Sequence, residues 1–355
     1  MKTRPGCRGV KRRCHIWAAE KQPLTGDEKV KTDKKQIMIL TTGGTILSVY
    51  DPSQGSIAPG LTGEELLKPL MDAMAGVELH VSRFAQKPGP HLTPELALEL
   101  AEAIHAMSGQ YDGFVVIQGT DTIEEFSYMM SLILPAGVPV AFTGAMKSNN
   151  EYYADGLGNI ASAVSVVCAE STRGRGVLVV FNEMIFSPEH VIKMHTRTTG
   201  SFQAPDTGPL GTVHHGQVHY YYSPEPPETL QPSADTRVEL LKASLGSGSL
   251  LLDACIAAGV PGVVIEGLGA GNLPPAWAEA VERAGNAGIP IVIASRSPQG
   301  SVGPVYEYTG GGKQLERIGA IFAGTLSGPK ARIKLMLLLG QTPPLSKEQI
   351  AAAFR

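Results

Sequence analysis

Cysteine is scarce in this 355-residue chain, with Cys7, Cys14, Cys168 and Cys255 the only four. No two of them have a metal-ligand or redox spacing, which excludes a disulfide framework and points to a reducing compartment, the cytoplasm. Cys168 and Cys255 lie in apolar context and read as buried thiols. No run of ~18 apolar residues occurs, so no membrane span is expected. The phosphate loop G-x-x-x-x-G-K-[ST] and the nucleophile elbow G-x-S-x-G are both missing. Gly267-Leu-Gly-Ala-Gly271 follows an apolar run as a dinucleotide loop would, but its glycine spacing is off pattern and Asn-Leu-Pro-Pro comes next. His214, His215 and His219 fall on a hairpin whose alternation sends them to different faces, which argues against a metal site. Neither a metal nor a cofactor is expected.

Charged residues make up only 18% of the chain, against 43% hydrophobic, with 41 Gly and 26 Pro. The charge is unevenly placed. Residues 1–35 hold eleven Lys or Arg against four acids, a balance of +7, whereas the whole chain is −3 and the remainder therefore −10. This basic, turn-rich stretch has no apolar core of a secretory signal and reads as a disordered extension, not as a nucleic-acid-binding arm.

Beyond it, apolar strand-like runs alternate with helical patterns, the signature of a doubly wound parallel sheet. Ile37-Met-Ile-Leu40 and Phe114-Val-Val-Ile117 are buried-strand runs that end in Gly- and Thr-rich turns. A helix is expected over 123–134, with Asp121 or Thr122 as N-cap. Thr62 and Thr93 are caps for two more helices, and Gly208–Tyr220 reads as a hairpin turning at His215-Gly216. Residues 48–60, rich in Gly, Pro and Ser, are long for a strand-to-helix connection and suggest a mobile loop or lid. The Pro-rich segment 221–247 reads as a linker. The α/β pattern restarts after it, giving a larger N-terminal α/β domain over 36–220 and a smaller one over 248–355.

Thr42, Thr45, Thr120, Asp121 and Lys193, with Tyr50, Asn272 and Glu307, are the groups able to carry chemistry. A threonine after a buried strand is commonly a helix cap. Two such loops at the carboxyl ends of parallel strands, each next to glycines with free backbone N–H groups, suggest a ligand crevice instead. A threonine hydroxyl is a weak nucleophile until a base removes its proton, and a partly desolvated lysine held by an aspartate can do so.

Leu40-Thr-Thr-Gly-Gly-Thr-Ile46 and Gln118-Gly-Thr-Asp-Thr122 resemble the two signature motifs of the bacterial-type L-asparaginases. Thr143–Lys147, Ala154–Gly156, Gly176–Asn182, the Lys193 segment, Gly208–Gly211 and Gly267–Asn272 resemble further family segments in the same order, so the likeness spans roughly 36–342. The resemblance implies hydrolysis of L-asparagine through an acyl-enzyme on a threonine. Thr42 matches the family nucleophile, Thr120 and Asp121 the second threonine and its acid, and Lys193 the family lysine. The motifs alone leave open which threonine attacks. Gly89, Pro90, Gly119, Thr120 and Asp121 fall where substrate is bound. The resemblance also implies a homotetramer, a dimer of dimers, whose sites are completed by the neighbouring subunit at positions matching Asn272 and Glu307.

Three positions depart from the family pattern. The Gly-Tyr pair of the first loop is here Gly55-Ser56, leaving Tyr50 as the nearby phenol. Gly89 stands where a serine holds the substrate carboxylate, leaving backbone N–H groups and His91, and Gln118 replaces a histidine. Alternative readings are a broader amidase or glutaminase, the ammonia-producing subunit of a tRNA-linked amidotransferase, and a catalytically weak amino-acid-binding module.

Overall fold

The computed structural model describes residues 34–51, 53, 56–60 and 62–354. The basic stretch 1–33, with Cys7 and Cys14, lies outside them, as does Gly55. In chain order the first lobe holds β1 (Lys35–Thr41), the ribbon strands β2 (Ser48–Asp51) and β3 (Ser56–Pro59), α1 (Gly63–Ala73), β4 (Val77–Arg83) and α2 (Pro94–Met107). It continues through β5 (Gly113–Ile117), α3 (Ile123–Ile133), β6 (Val140–Thr143), α4 (Gly156–Cys168), β7 (Val177–Phe181), β8 (Met184–Phe186), β9 (Ile192–Lys193), β10 (Phe202–Gln203), β11 (Gly211–His214) and β12 (Gln217–Tyr220). The second lobe comprises β13 (Glu239–Lys242), α5 (Leu250–Ala258), β14 (Val263–Gly267), α6 (Pro275–Asn286), β15 (Ile291–Ser295), α7 (Gly312–Arg317), β16 (Ile321–Phe322), α8 (Gly328–Leu339) and α9 (Lys347–Ala353).

Five strands of the large sheet run parallel in the order β4-β1-β5-β6-β7, and β8, β11 and β12 extend it in antiparallel fashion beyond β7. The expected parallel sheet is therefore a mixed one. Its antiparallel edge arises where Asn182 and Glu183, both at positive φ, turn β7 straight back into β8 without room for a helix. The second sheet, β13-β14-β15-β16, is wholly parallel.

Successive side chains of the central strands enter different cores, as a strand's twofold alternation requires. Ile37, Ile39, Val115 and Ile117 pack with α1 and α4, whereas Met38, Leu40, Phe114 and Val116 pack with α2 and α3. That second core continues without a break into α8 and α9 of the other lobe, with α3 packed against α8. Its side chains are almost all below 8% exposed, so truncating one to Ala costs roughly 2–5 kcal/mol.

The helix starts follow local chemistry. Thr62 and Glu65 form a reciprocal capping box, and Thr93 caps α2 ahead of Pro94. Thr122 occupies the N-cap position of α3, but its side chain does not cap it, and Asp121 is committed elsewhere. Three other expectations shift. The segment 221–247 contains β13, because the proline-rich composition stops at Pro232 and Val238 is fully buried. Cys168 and Cys255 are half-buried helix residues, not core ones, and burial pushes the Cys168 thiol up to about 11. Within 48–60, β2 and β3 pair as a two-stranded ribbon.

Candidate functional site

The carboxyl ends of β1 and β5 lie side by side, with Thr41 paired to Ile117. Thr42 extends that ladder by one residue. Its amide donates to the Ile117 carbonyl at 2.9 Å, and its hydroxyl donates to the same oxygen at 3.2 Å. The Thr42 side chain is fully buried. Gly43 and Gly44 follow at φ +118° and +104°, a region side chains rarely adopt. A Cβ on Gly43 would sit 2.4 Å from the Lys87 carbonyl oxygen, and one on Gly44 would sit 2.6 Å from the Gly119 Cα. Glycine is required at both because backbone packs on backbone there. The loop after β4 joins them: Lys87 donates its amide to the Thr42 carbonyl at 2.9 Å.

Beyond β5 the chain turns through Gln118 and Gly119 into a single turn of 3-10 helix, Thr120–Thr122. Gln118 is fully buried, and its Nε2 donates to the Thr122 hydroxyl at 3.2 Å. Thr122 in turn donates to the Gly89 carbonyl at 3.2 Å. This relay ties the second Thr loop to the Gly89–His91 turn, and Gln118 Oε1 remains buried without a partner among the described residues.

Lys193 completes the arrangement from β9, across from α3. Its Nζ donates to Thr120 Oγ1 at 2.9 Å and to Asp121 Oδ1 at 2.6 Å, a short charge-assisted contact. The Lys193 side chain is 16% exposed, whereas that of Asp121 is 60% exposed. The ammonium is thus largely out of water while the cluster stays open on the carboxylate side. One hydroxyl, one ammonium and one carboxylate in direct contact can pass a proton to or from an attacking oxygen.

The structure therefore brings Thr120, Asp121 and Lys193 into direct contact, sets Gly89 and Gly119 beside them, and places Thr42 at the end of the neighbouring strand. Pro90 sits in the same turn as Gly89. Tyr50 pairs with Ile57 in the β2–β3 ribbon, and its backbone meets the Asn150 side chain, its N–H donating to Oδ1 at 2.9 Å and its carbonyl accepting from Nδ2 at 2.8 Å. Asn272 lies in the turn after β14, with Oδ1 buried and without a partner among the described residues. Glu307 is at the surface, ion-paired with Arg317 and, at 4.0 Å, with Lys313. Among the described residues no hydrogen bond or ion pair joins Tyr50, Asn272 or Glu307 to Thr42, Thr120, Asp121 or Lys193. Also among these residues, no group of three or more His, Cys, Asp or Glu could hold a metal, and no helix is long and apolar enough to cross a membrane.

Sequence reasoning missed Glu124, which accepts the Lys193 N–H through Oε2 at 3.1 Å. In the sequence it looks like an ordinary first-turn acid of a helix, and only the tertiary approach of β9 gives it a partner. Burial pushes its carboxyl pKa up, against the pull of Lys330, the Lys193 N–H and the Lys193 charge. Asp155 and Asn159 were also missed. Asp155 accepts the Met146 and Lys147 N–H groups, and Asn159 donates to the Gly144 carbonyl, which fixes the turn after β6 next to Gln118.

A two-lobed α/β fold with a hydroxyl–ammonium–carboxylate cluster at the carboxyl edge of its parallel strands defines the class. Residues 36–226 match the model of the asparaginase N-terminal domain, and residues 237–354 match that of the glutaminase/asparaginase C-terminal domain. The chain belongs to the asparaginase family. It is 37% identical to a probable L-asparaginase of Deinococcus radiodurans over 325 residues, covering 90% of this chain and 97% of that one. It is 33% identical to an L-asparaginase of Bacillus licheniformis, covering 86% and 95%. A crystal structure of a probable cytoplasmic L-asparaginase from Campylobacter jejuni superposes with a TM-score of 0.80 at 28% identity, over 90% of this chain and 99% of that one.

Proposed function

We propose that this hydrolase cleaves the side-chain amide of L-asparagine, giving L-aspartate and ammonia. The observation that carries the reading is the Thr120–Lys193–Asp121 contact at the mouth of two Gly-rich loops. The names of the relatives support the choice of substrate. In this reading Thr42 Oγ1 leaves the Ile117 carbonyl and bonds to the amide carbon. The carbon–nitrogen bond breaks, the departing nitrogen takes up the threonine proton, and ammonia leaves an ester on Thr42. Thr120, with Lys193 as its proton partner, then activates water. The water oxygen bonds to the acyl carbon, the ester bond breaks, and Thr42 regains its proton. Asp121 holds Lys193 in register and offers its exposed side to the substrate ammonium, while Gly89, Pro90 and Gly119 line the carboxylate end. Tyr50 is the phenol closest in sequence to Thr42, and we assign it the activating part.

We further propose a cytoplasmic homotetramer in which Asn272 and Glu307 serve a neighbouring subunit's site; light scattering at four chains per particle is the result expected. A second reading, an amide-binding module of low turnover, is favoured by Gly89 and the missing Gly-Tyr pair.

Ammonia release from L-asparagine, L-glutamine and D-asparagine, measured beside Thr42→Ala, separates these readings. Release from L-asparagine that disappears in the variant is expected. Thermal stabilisation by asparagine without ammonia release from any of the three would instead establish the binding module.

A further inference from the structure

Lys330, on α8 of the second lobe, is 1% exposed, an unusual place for an ammonium. A buried charge persists only where hydrogen bonds and opposite charges replace its water. Lys330 Nζ donates to the Glu189 carbonyl at 2.9 Å and to the Val191 carbonyl. The carboxylates of Glu124 and Glu125 on α3 and of Glu189 face it, and burial nevertheless pushes the amine down to about 8. Val191 is fully buried and lies two residues before Lys193.

The segment that Lys330 grips has little rigidity of its own. β9 is two residues long and, among the described residues, pairs only with the two-residue β10. A ribbon that short does not fix a side chain to the tolerance a proton transfer needs. Lys193 is instead docked at both ends onto one short stretch of chain, its N–H on Glu124 in the first turn of α3 and its Nζ on Thr120 and Asp121 in the 3-10 turn just before it. Lys330 adds a second hold on the same segment through the Val191 carbonyl, and its charge faces the Glu124 carboxylate.

We propose that Lys330 and Glu124 are positioning residues that set the Lys193 ammonium against Thr120, so that the second lobe acts on the site of its own chain. The inference rests on the role given to Lys193 above. Neither residue touches the reacting atoms. A merely structural role would lower thermal stability and leave the kcat of the folded fraction unchanged.

The test is steady-state ammonia release from L-asparagine by full-length Lys330→Met, Glu124→Ala, Glu124→Gln and Lys193→Met, each with its melting temperature. Misplacement on the order of 1 Å costs up to about 10²-fold in rate. Lys330→Met and Glu124→Ala are therefore expected to lose at least about tenfold in kcat with KM held within about twofold. Glu124→Gln keeps an oxygen to accept the Lys193 N–H and should recover most of that loss. Folded Lys330→Met and Glu124→Ala proteins with unchanged kcat, beside an inactive Lys193→Met, would overturn this inference alone. Near-normal turnover by Lys193→Met would overturn it together with the reading it rests on. Should Lys330→Met fail to fold, the Glu124→Ala and Glu124→Gln pair decides: equal rates in the two refute the proposal.

Discussion

The loops after β1 and β5 are built alike and end differently. Each follows an apolar strand buried on both faces, each turns on glycine, and each presents a threonine at the same edge of the sheet. The hydroxyl of Thr42 folds back onto the Ile117 carbonyl, a neutral backbone acceptor. That of Thr120 meets the Lys193 ammonium. The strand and turn place a threonine; an element some seventy residues further along the chain decides what the threonine can do. The first loop is consequently packed backbone against backbone, whereas in the proposed mechanism the second is the one that moves a proton.

Three changes would break or sharpen this contrast, in decreasing order of effect. Gly44→Ala attacks the contact between the loops. Its Cβ would meet the Gly119 backbone at a strained φ, with no flexible side chain to give way, and strain of this kind costs on the order of 1–3 kcal/mol. Turnover should fall by at least about 10²-fold with a lowered melting temperature, because displacing either loop separates the two threonines. Tyr50→Phe probes the first loop alone. If the phenol activates Thr42, kcat should drop by about 10²-fold with the fold intact; an unchanged rate would remove Tyr50 from the mechanism. Gly89→Ser is the mildest. A Cβ there makes only ordinary contacts, at 3.4 Å to Asp121 Cβ and the Gly119 carbonyl oxygen, so the serine fits. One added hydrogen bond to a charged group contributes about 1.5–3 kcal/mol, and KM for L-asparagine should fall by about tenfold or more. A raised KM would mean that the substrate carboxylate is not held at Gly89.

Much of the architecture was legible because it rests on short-range pattern. Continuous apolar runs marked β1 and β5, Thr62 and Thr93 marked their helices, and His215-Gly216, found at positive φ, marked the β11–β12 turn. The reversal from β7 into β8 was not legible, since its turn uses Asn182 and Glu183 rather than glycine. β13 was hidden by the proline-rich composition of the segment before it.

At the candidate site, Thr120, Asp121 and Lys193 could be nominated from motif likeness, and the structure brings them into contact. Glu124 and Lys330 could not be nominated, because nothing local distinguishes them from the first-turn acids and surface lysines of other helices. Their roles come from burial and from partners 69 and 139 residues away along the chain.

The central claim is that the Lys193–Thr120–Asp121 contact makes amide hydrolysis possible. Its most direct test is the kcat for ammonia release from L-asparagine by Lys193→Met beside the unaltered protein. Removing a general acid–base group typically costs 10²–10⁴-fold. The account predicts a loss of at least about 10³-fold in a protein that melts within a few degrees of the original. A well-folded Lys193→Met that keeps a tenth or more of the original rate would contradict it.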